Sequence, residues 1–291
     1  MTRARLLLLS PTLAMIGFFL LLPVALMAVY SFLSPGTYGG VEWLLSFDAY
    51  IQFFFERDFL TDELVFHTSY LSIYFRSFVQ ALAATVICLL IGFPTAYFIA
   101  TRPPATRSAW VLLVTVPYWV NLLIRTVSML FVLRDEGPLN GALAAAGIVD
   151  APLRIAYTDF AVALGLVYSY LPFMVLPIYA AIERFDFSLM EAACDLYAGR
   201  WTILRRIILP TVKPGVVAGC LLVFIPSLGA YIAPDLLGGG KNLMIGNLVA
   251  LQFQGSRNWP FGAAAAVLLL SAVLVALTVL ARRRALSAAG N

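Results

Sequence analysis

Charge is scarce in this chain. Of 291 residues only 12% are Asp, Glu, Lys or Arg, whereas a soluble domain carries roughly a quarter. So little polar surface cannot cover a large water-soluble core. Histidine is scarcer still: His67 is the single one, which excludes any multi-histidine metal or acid–base site. The three cysteines, Cys88, Cys194 and Cys220, form no spaced pair, so neither a disulfide framework nor a thiolate metal site is expected. Ser169 and Ser227 have no histidine to activate them, and nucleophilic catalysis is unsupported. A phosphate-binding loop is missing too. Gly239-Gly240-Lys241-Asn242 lacks the hydroxyl residue after lysine and the upstream glycine spacing that cradle a phosphate. The net charge of +4 is modest, and its arginines fall in the wrong pattern for nucleic acid.

What the chain has in excess is apolar length. It is 62% hydrophobic with a mean hydropathy of +0.92. A helix needs about 20 apolar residues to cross the hydrocarbon core. Six stretches qualify: Leu6–Tyr30, Ile73–Ala100, Trp110–Val132, Phe160–Ala181, Val216–Ala233 and Phe261–Leu280. An all-α polytopic membrane protein is expected, with residues 1–291 forming one transmembrane domain. Arg3 and Arg5 precede the first stretch as in a signal peptide, but its apolar run is too long for a cleaved segment. It is read as a retained span.

Orientation follows from the basic residues beside the spans. One side collects twelve: Arg3, Arg5, Arg102, Arg107, Arg184, Arg200, Arg205, Arg206, Lys213, Arg282, Arg283 and Arg284. The other collects five: Arg57, Arg134, Arg154, Lys241 and Arg257. Both termini are therefore expected in the cytoplasm. The first outer segment, 33–70, holds Glu42, Asp48, Glu56, Asp58, Asp62 and Glu63 against Arg57 alone. It is either a solvated loop or a face that attracts a cation or a docking partner. The piece Leu243–Phe253 is too short to span and reads as a re-entrant or surface-lying helix. Prolines recur within the spans, at Pro11, Pro23, Pro94, Pro117, Pro172, Pro177 and Pro226, and each is expected to kink its helix.

Between the fourth and fifth spans lie about 30 inner residues. Ser188 and Glu191 have the spacing of a capping box. A short helix is expected over Leu189–Ala198, stopped by Gly199. Leu189, Ala192, Ala193 and Leu196 would share one face, whose small side chains admit a close partner. Arg200, Arg205 and Arg206 follow, and Pro210 and Pro214 stiffen the return to the membrane. Taken alone, this is a short cytoplasmic helix that either presents a sticky face or packs on its own bundle.

The segment also resembles the EAA loop of inner-membrane permease subunits in binding-protein-dependent ABC importers. Glu191-Ala192-Ala193, then position 197 after three residues, then Ile207-x-Leu209-Pro210 after nine more carry that resemblance. One departure stands out: the family usually has glycine where this chain has Tyr197. The wider chain is similar to spermidine/putrescine permease subunits, the first of the two kinds. Pro117–Arg125 (PYWVNLLIR), Gly165–Pro177 (GLVYSYLPFMVLP), Gly215–Leu222 (GVVAGCLL), Asp235–Asn247 (DLLGGGKNLMIGN) and Trp259–Gly262 (WPFG) carry it.

The resemblance implies the type I ABC importer permease fold, with residues 182–212 as its coupling loop. It also implies a heteromeric machine in the bacterial inner membrane: a second permease subunit, two ATPase subunits and a periplasmic binding protein. No cofactor is expected on this chain, since ATP and Mg belong to the ATPase subunits, and the chain itself is not an enzyme. The expected coupling residues are Glu191, Ala192, Ala193, Leu196, Tyr197, Gly199, Arg205, Arg206, Ile207, Leu209 and Pro210. Arg205 and Arg206 would meet ATPase acids or lipid headgroups. The implied cargo is putrescine or spermidine, or in a related importer an opine or amino-acid derivative.

A polycation needs carboxylates, carbonyls and aromatic faces along its path. Asp235, close to the end of the fifth stretch, is the carboxylate expected to meet the cargo. Tyr118, Trp119, Tyr168, Tyr170 and Tyr231 are the candidate rings. Asn121 would offer a carbonyl or cross-link helices. Arg125 would pair with an acid, snorkel to an interface, or act as a gate.

Overall fold

The computed structural model describes residues 3–57 and 64–289. Asp58, Asp62 and Glu63 of the acidic loop lie outside the described residues. In chain order the helices and strands are α1 (Arg3–Ile16), α2 (Leu22–Tyr30), β1 (Leu33–Pro35), β2 (Val41–Leu45), α3 (Asp48–Phe54), β3 (Phe55–Arg57) and β4 (Leu64–Phe66), followed by α4 (Ser69–Ala100) and α5 (Pro104–Trp119). Then come α6 (Leu122–Leu133), α7 (Pro138–Ala145), α8 (Asp159–Glu183), α9 (Ser188–Asp195), α10 (Arg200–Ile203), α11 (Leu209–Leu228), α12 (Ile232–Gly238), α13 (Ile245–Gln254) and α14 (Trp259–Ala289). Two π turns, Gly17–Leu21 and Leu204–Ile208, join α1 to α2 and α10 to α11.

Among the described residues five helical segments are long and apolar enough to cross a membrane: Leu9–Tyr30, Ser69–Ala100, Asp159–Glu183, Arg200–Leu228 and Trp259–Arg282. The third expected span is different. It is a pair, α5 and α6, bent by 87°. Valine and asparagine break the ladder: Val120 and Asn121 are both extended, at ψ 137° and 135°, just past Pro117. The fifth span also departs from expectation, ending at Leu228 rather than Ala233, because Gly229 and Ala230 turn the chain into the separate helix α12.

The chain divides into two compact units. One comprises Met1–Ile73 and Asn247–Asn291, the other Tyr74–Gly246. In the first, α2 packs on α14. The segment expected as a plain loop holds two antiparallel hairpins, β1–β2 and β3–β4, either side of α3. An aromatic cluster anchors it: Tyr70 lies 4.7 Å from the fully buried Phe261, with Phe53 6.0 Å from Tyr70. Alternation there is too short for strands to be read from periodicity.

In the second unit, α8 and α11 make the main interface. The core comprises Met174, Val175, Ile178 and Ile182 of α8 with Val212 and Val223 of α11. Small residues let the backbones approach, as membrane helices require when lipid is as apolar as leucine. A Cβ on Gly215 would stand 2.7 Å from the Pro177 carbonyl oxygen, and one on Gly219 would stand 2.9 Å from Met174 Sδ. The start of α8 is fixed by its sequence. Thr158 caps it by accepting from the Ala161 amide (3.2 Å). Asp159 then accepts from Arg76 of α4 (3.0 Å), while its carbonyl accepts from Gln80 (3.1 Å).

The Gly215 contact has no room to yield, because backbone faces it. Gly215→Val should lower the thermal midpoint in detergent by the equivalent of about 1–3 kcal/mol. The control is Ala218→Val on the exposed side of the same helix, expected to leave the midpoint unchanged. Both are read by a thermal scan.

Candidate functional site

The connection from α8 to α11 is the segment that the sequence singled out. Its helix, α9, starts at Ser188 and ends at Asp195, shorter than expected at the C-terminal end. The expected capping box does not form. Phe187 holds the N-cap position, and the Ser188 amide donates instead to Asp186 Oδ1 (3.0 Å). Hydrogen bonding from the side chain and backbone of Ser188 holds the exposed Asp186 carboxyl below the usual carboxylate range. Glu191 remains in the first turn, exposed, where a negative charge suits the helix dipole.

The stop is also different. Gly199 was the expected terminator, but it is extended (φ −67°, ψ 154°) and caps α10. The residue that ends α9 is Tyr197, in the left-handed region at φ 56°. The Tyr197 amide donates to the Cys194 carbonyl (2.9 Å) and the Ala198 amide to the Ala193 carbonyl (3.0 Å). These are the two bonds of a Schellman stop. Glycine is the usual residue in that conformation, and here tyrosine adopts it with a side chain that is 98% exposed.

The four-residue face splits. Ala193 is buried and turns into the core, because Phe187 and Met190 draw that side of α9 inward. Leu189, Ala192 and Leu196 stay exposed, and Tyr197 and Trp201 extend the surface. Trp201 carried no sequence signal, since its periodicity is cut by the stop at Tyr197. Arg205 and Arg206 lie exposed within the second π turn, with no ion pair among the described residues. Ile207 is half-buried against the core, while Leu209 and Pro210 are exposed at the start of α11.

The expected path residues divide in the same way. Tyr118 of α5 and Tyr168 of α8 converge on Arg125 of α6, whose guanidinium carbon lies 5.5 Å from each ring centroid. Phe173 packs edge-on against Tyr118 at 5.0 Å. Tyr170 donates to the Pro226 carbonyl (3.5 Å) and so ties α8 to α11. Asn121 caps α6: its Oδ1 accepts from the Leu123 amide (2.9 Å). Trp119, the last residue of α5, is 72% exposed. Asp235 and Tyr231 belong to α12 and its cap, which pack on α6 and α8; Asp235 is exposed and has no ion pair among the described residues. A recess of about 700 Å³ lies elsewhere, lined by Arg134, Asp135, Glu136, Arg154 and Tyr157. It holds none of the expected path residues.

Two measurements check this geometry. A left-handed conformation costs an L-residue roughly 1–2 kcal/mol, so Tyr197→Gly should raise the thermal midpoint by the equivalent of about 1 kcal/mol, and Tyr197→Ala should not. The Asp186 carboxyl titrates lower when folded than when unfolded. Its contribution is therefore complete above the unfolded value and is lost as pH falls through the folded one. Asp186→Asn should speed proteolysis of 186–199 at neutral pH, with the difference from the parent closing as the medium is acidified below the carboxylate range.

Known proteins resemble this chain in sequence and in fold. Residues 89–285 match the family described as binding-protein-dependent transport system inner membrane component. The chain is 41% identical over 251 residues to the spermidine/putrescine transport system permease protein PotB of Escherichia coli (strain K12), covering 86% of this chain and 87% of that one. It is 40% identical over 268 residues to PotB of Haemophilus influenzae, covering 92% and 89%. Among solved structures it resembles a bacterial ABC transporter involved in the import of the acidic polysaccharide alginate, with a TM-score of 0.63, 19% identity, and 97% and 95% of the two chains covered. That likeness concerns the fold. The apolar spans and these relatives agree, and the chain belongs to the inner-membrane permease subunits of binding-protein-dependent ABC importers, as a homologue of PotB.

Proposed function

We propose that this chain is one of two permease subunits of an ABC importer that carries polyamines inward, in the spermidine/putrescine class. The observation that supports it is the 41% identity to PotB along 86% of the chain. The chain forms half of the path and hydrolyses nothing. Two separate ATPase subunits bind ATP and Mg, a second permease completes the path, and a periplasmic binding protein delivers the cargo.

Both termini are cytoplasmic in this reading, which rests on the excess of arginine beside α1, α9–α11 and the end of α14. The segment 182–212 is then the coupling loop. Leu189, Ala192, Leu196, Tyr197 and Trp201 seat in the ATPase groove, with Glu191, Arg205 and Arg206 at the polar rim. Gly199 and the run Ile207, Leu209, Pro210 set the loop's return into the membrane. Ala193 supports α9 from its buried side. ATP binding closes the ATPase pair, and the motion passes through α9 to α8 and α11. Such coupling needs contacts that differ between the two states. In the path, Asp235, Tyr231, Trp119, Tyr118, Tyr168 and Tyr170 offer charge and π faces to ammonium groups, while Asn121 shapes the entry of α6.

The test is ATP hydrolysis and uptake by the complete complex in liposomes with its binding protein. Putrescine, spermidine and spermine are compared with a basic amino acid and an opine. Stimulation by polyamines alone supports the assignment; stimulation only by another solute keeps the importer and discards the cargo. Asp235→Asn should weaken polyamine uptake with assembly intact, and normal uptake kinetics would remove Asp235 from the path. Ala192→Arg, which buries a charge in the subunit contact, should cut coupled uptake by about tenfold or more while ATP hydrolysis persists.

A further inference from the structure

Arg125 is poorly placed for stability. Its side chain is buried, with 6% exposure. A guanidinium carries five N–H donors. Here one terminal nitrogen donates to the Pro117 carbonyl at 3.4 Å, and Nε has no partner. No carboxylate pairs with it among the described residues. It also lies in the first turn of α6, its amide bonded to the Asn121 carbonyl, where the helix dipole disfavours a cation. What remains is aromatic: Tyr118 on one side and Tyr168 on the other, each at 5.5 Å. The two rings are themselves 44% exposed. They form a cation site, and the chain's own cation fills it.

We propose that Arg125 is a tethered occupant of the Tyr118–Tyr168 site, displaced when an ammonium group of the cargo enters. The proposal rests on the polyamine reading for the identity of the cargo. Its gating part stands on the geometry alone. At rest the guanidinium lies over one face of each ring and repels a polycation, so the path resists leakage. A delivered polyamine presents several ammonium groups at high local concentration and competes for the rings. When Arg125 leaves, α6 loses its hold on Tyr118 of α5 and Tyr168 of α8. The contact lies beside the 87° bend between α5 and α6, where a released side chain changes how the two halves meet. Occupancy of the site by cargo is thereby linked to the bend.

The experiment uses the complete reconstituted complex with parent, Arg125→Gln and Arg125→Lys chains. Three quantities are read: recovery of the assembled complex, ATP hydrolysis without cargo, and the spermidine concentration for half-maximal uptake. Losing a cation–π competitor should lower that concentration about fivefold in Arg125→Gln, and hydrolysis without cargo should rise. Arg125→Lys keeps a cation between the rings and should change both less than the glutamine variant. An assembled Arg125→Gln complex with both values unchanged overturns the proposal. So does failure of Arg125→Gln to assemble, whether or not lysine rescues it, since that makes Arg125 a fixed partner of an acidic group on another subunit or a structural residue. If the parent complex responds only to another solute, the polyamine reading falls, and cargo-free hydrolysis by Arg125→Gln still decides the gate.

Discussion

The contact between α8 and α11 is the constraint on which the rest of Tyr74–Gly246 is built. Lipid gives apolar helices no reason to leave it for one another, so close backbone approach must do the work. Gly215 and Gly219 supply it, lying against Pro177, Ala181 and Met174. The two ends of the 184–208 connection are thereby held together, and α9 is carried between them as a short bracket rather than a free loop. The same contact steadies the aromatic region, because Tyr170 reaches from α8 to the Pro226 carbonyl of α11, a few residues from Tyr168.

Both π turns are paired with a proline. Each ends two residues before one: Leu21 before Pro23, and Ile208 before Pro210. A proline cannot donate, and its ring presses on the carbonyl four residues back. Widening the preceding turn relieves both problems without breaking the helix. The Ile-x-Leu-Pro run at the start of α11 thus has a mechanical reading. Arg205 and Arg206 sit in the widened turn, where their backbone is fixed by the proline that follows.

Much of the architecture was legible because hydropathy is a one-dimensional property. Runs such as 73–100 and 160–181 fall within two or three residues of a helix end at most of their bounds, since membrane thickness sets their length. The bend in the third span was not legible. Pro117 announced a kink, but the break depends on Val120 and Asn121 both turning extended, which tertiary packing decides. The short helix between α8 and α11 was legible from spacing, yet its details differ. Ser188 looked like a cap while the Asp186 carboxylate accepts the Ser188 amide ahead of the helix, and Gly199 looked like a stop while Tyr197 is. In both cases propensity favoured one residue, and the chain used a neighbour two positions earlier. The triad of Tyr118, Arg125 and Tyr168 escaped pattern reading because its members come from three helices.

The first span has a different character. None of the most apolar window of Leu9–Tyr30 is buried, although the run carries bulky or rigid side chains at Phe18, Phe19, Pro23 and Tyr30. So far as this chain's own packing goes, the window encodes little beyond oiliness. Away from the turns of α2 that pack on α14, leucine for isoleucine, or one order of apolar residues for another, alters little that the rest of the subunit reads. The information density of the chain is therefore uneven: the α8–α11 region tolerates almost no rewriting, whereas the opening segment, away from its contact with α14, is free to drift as long as the bilayer still accepts it.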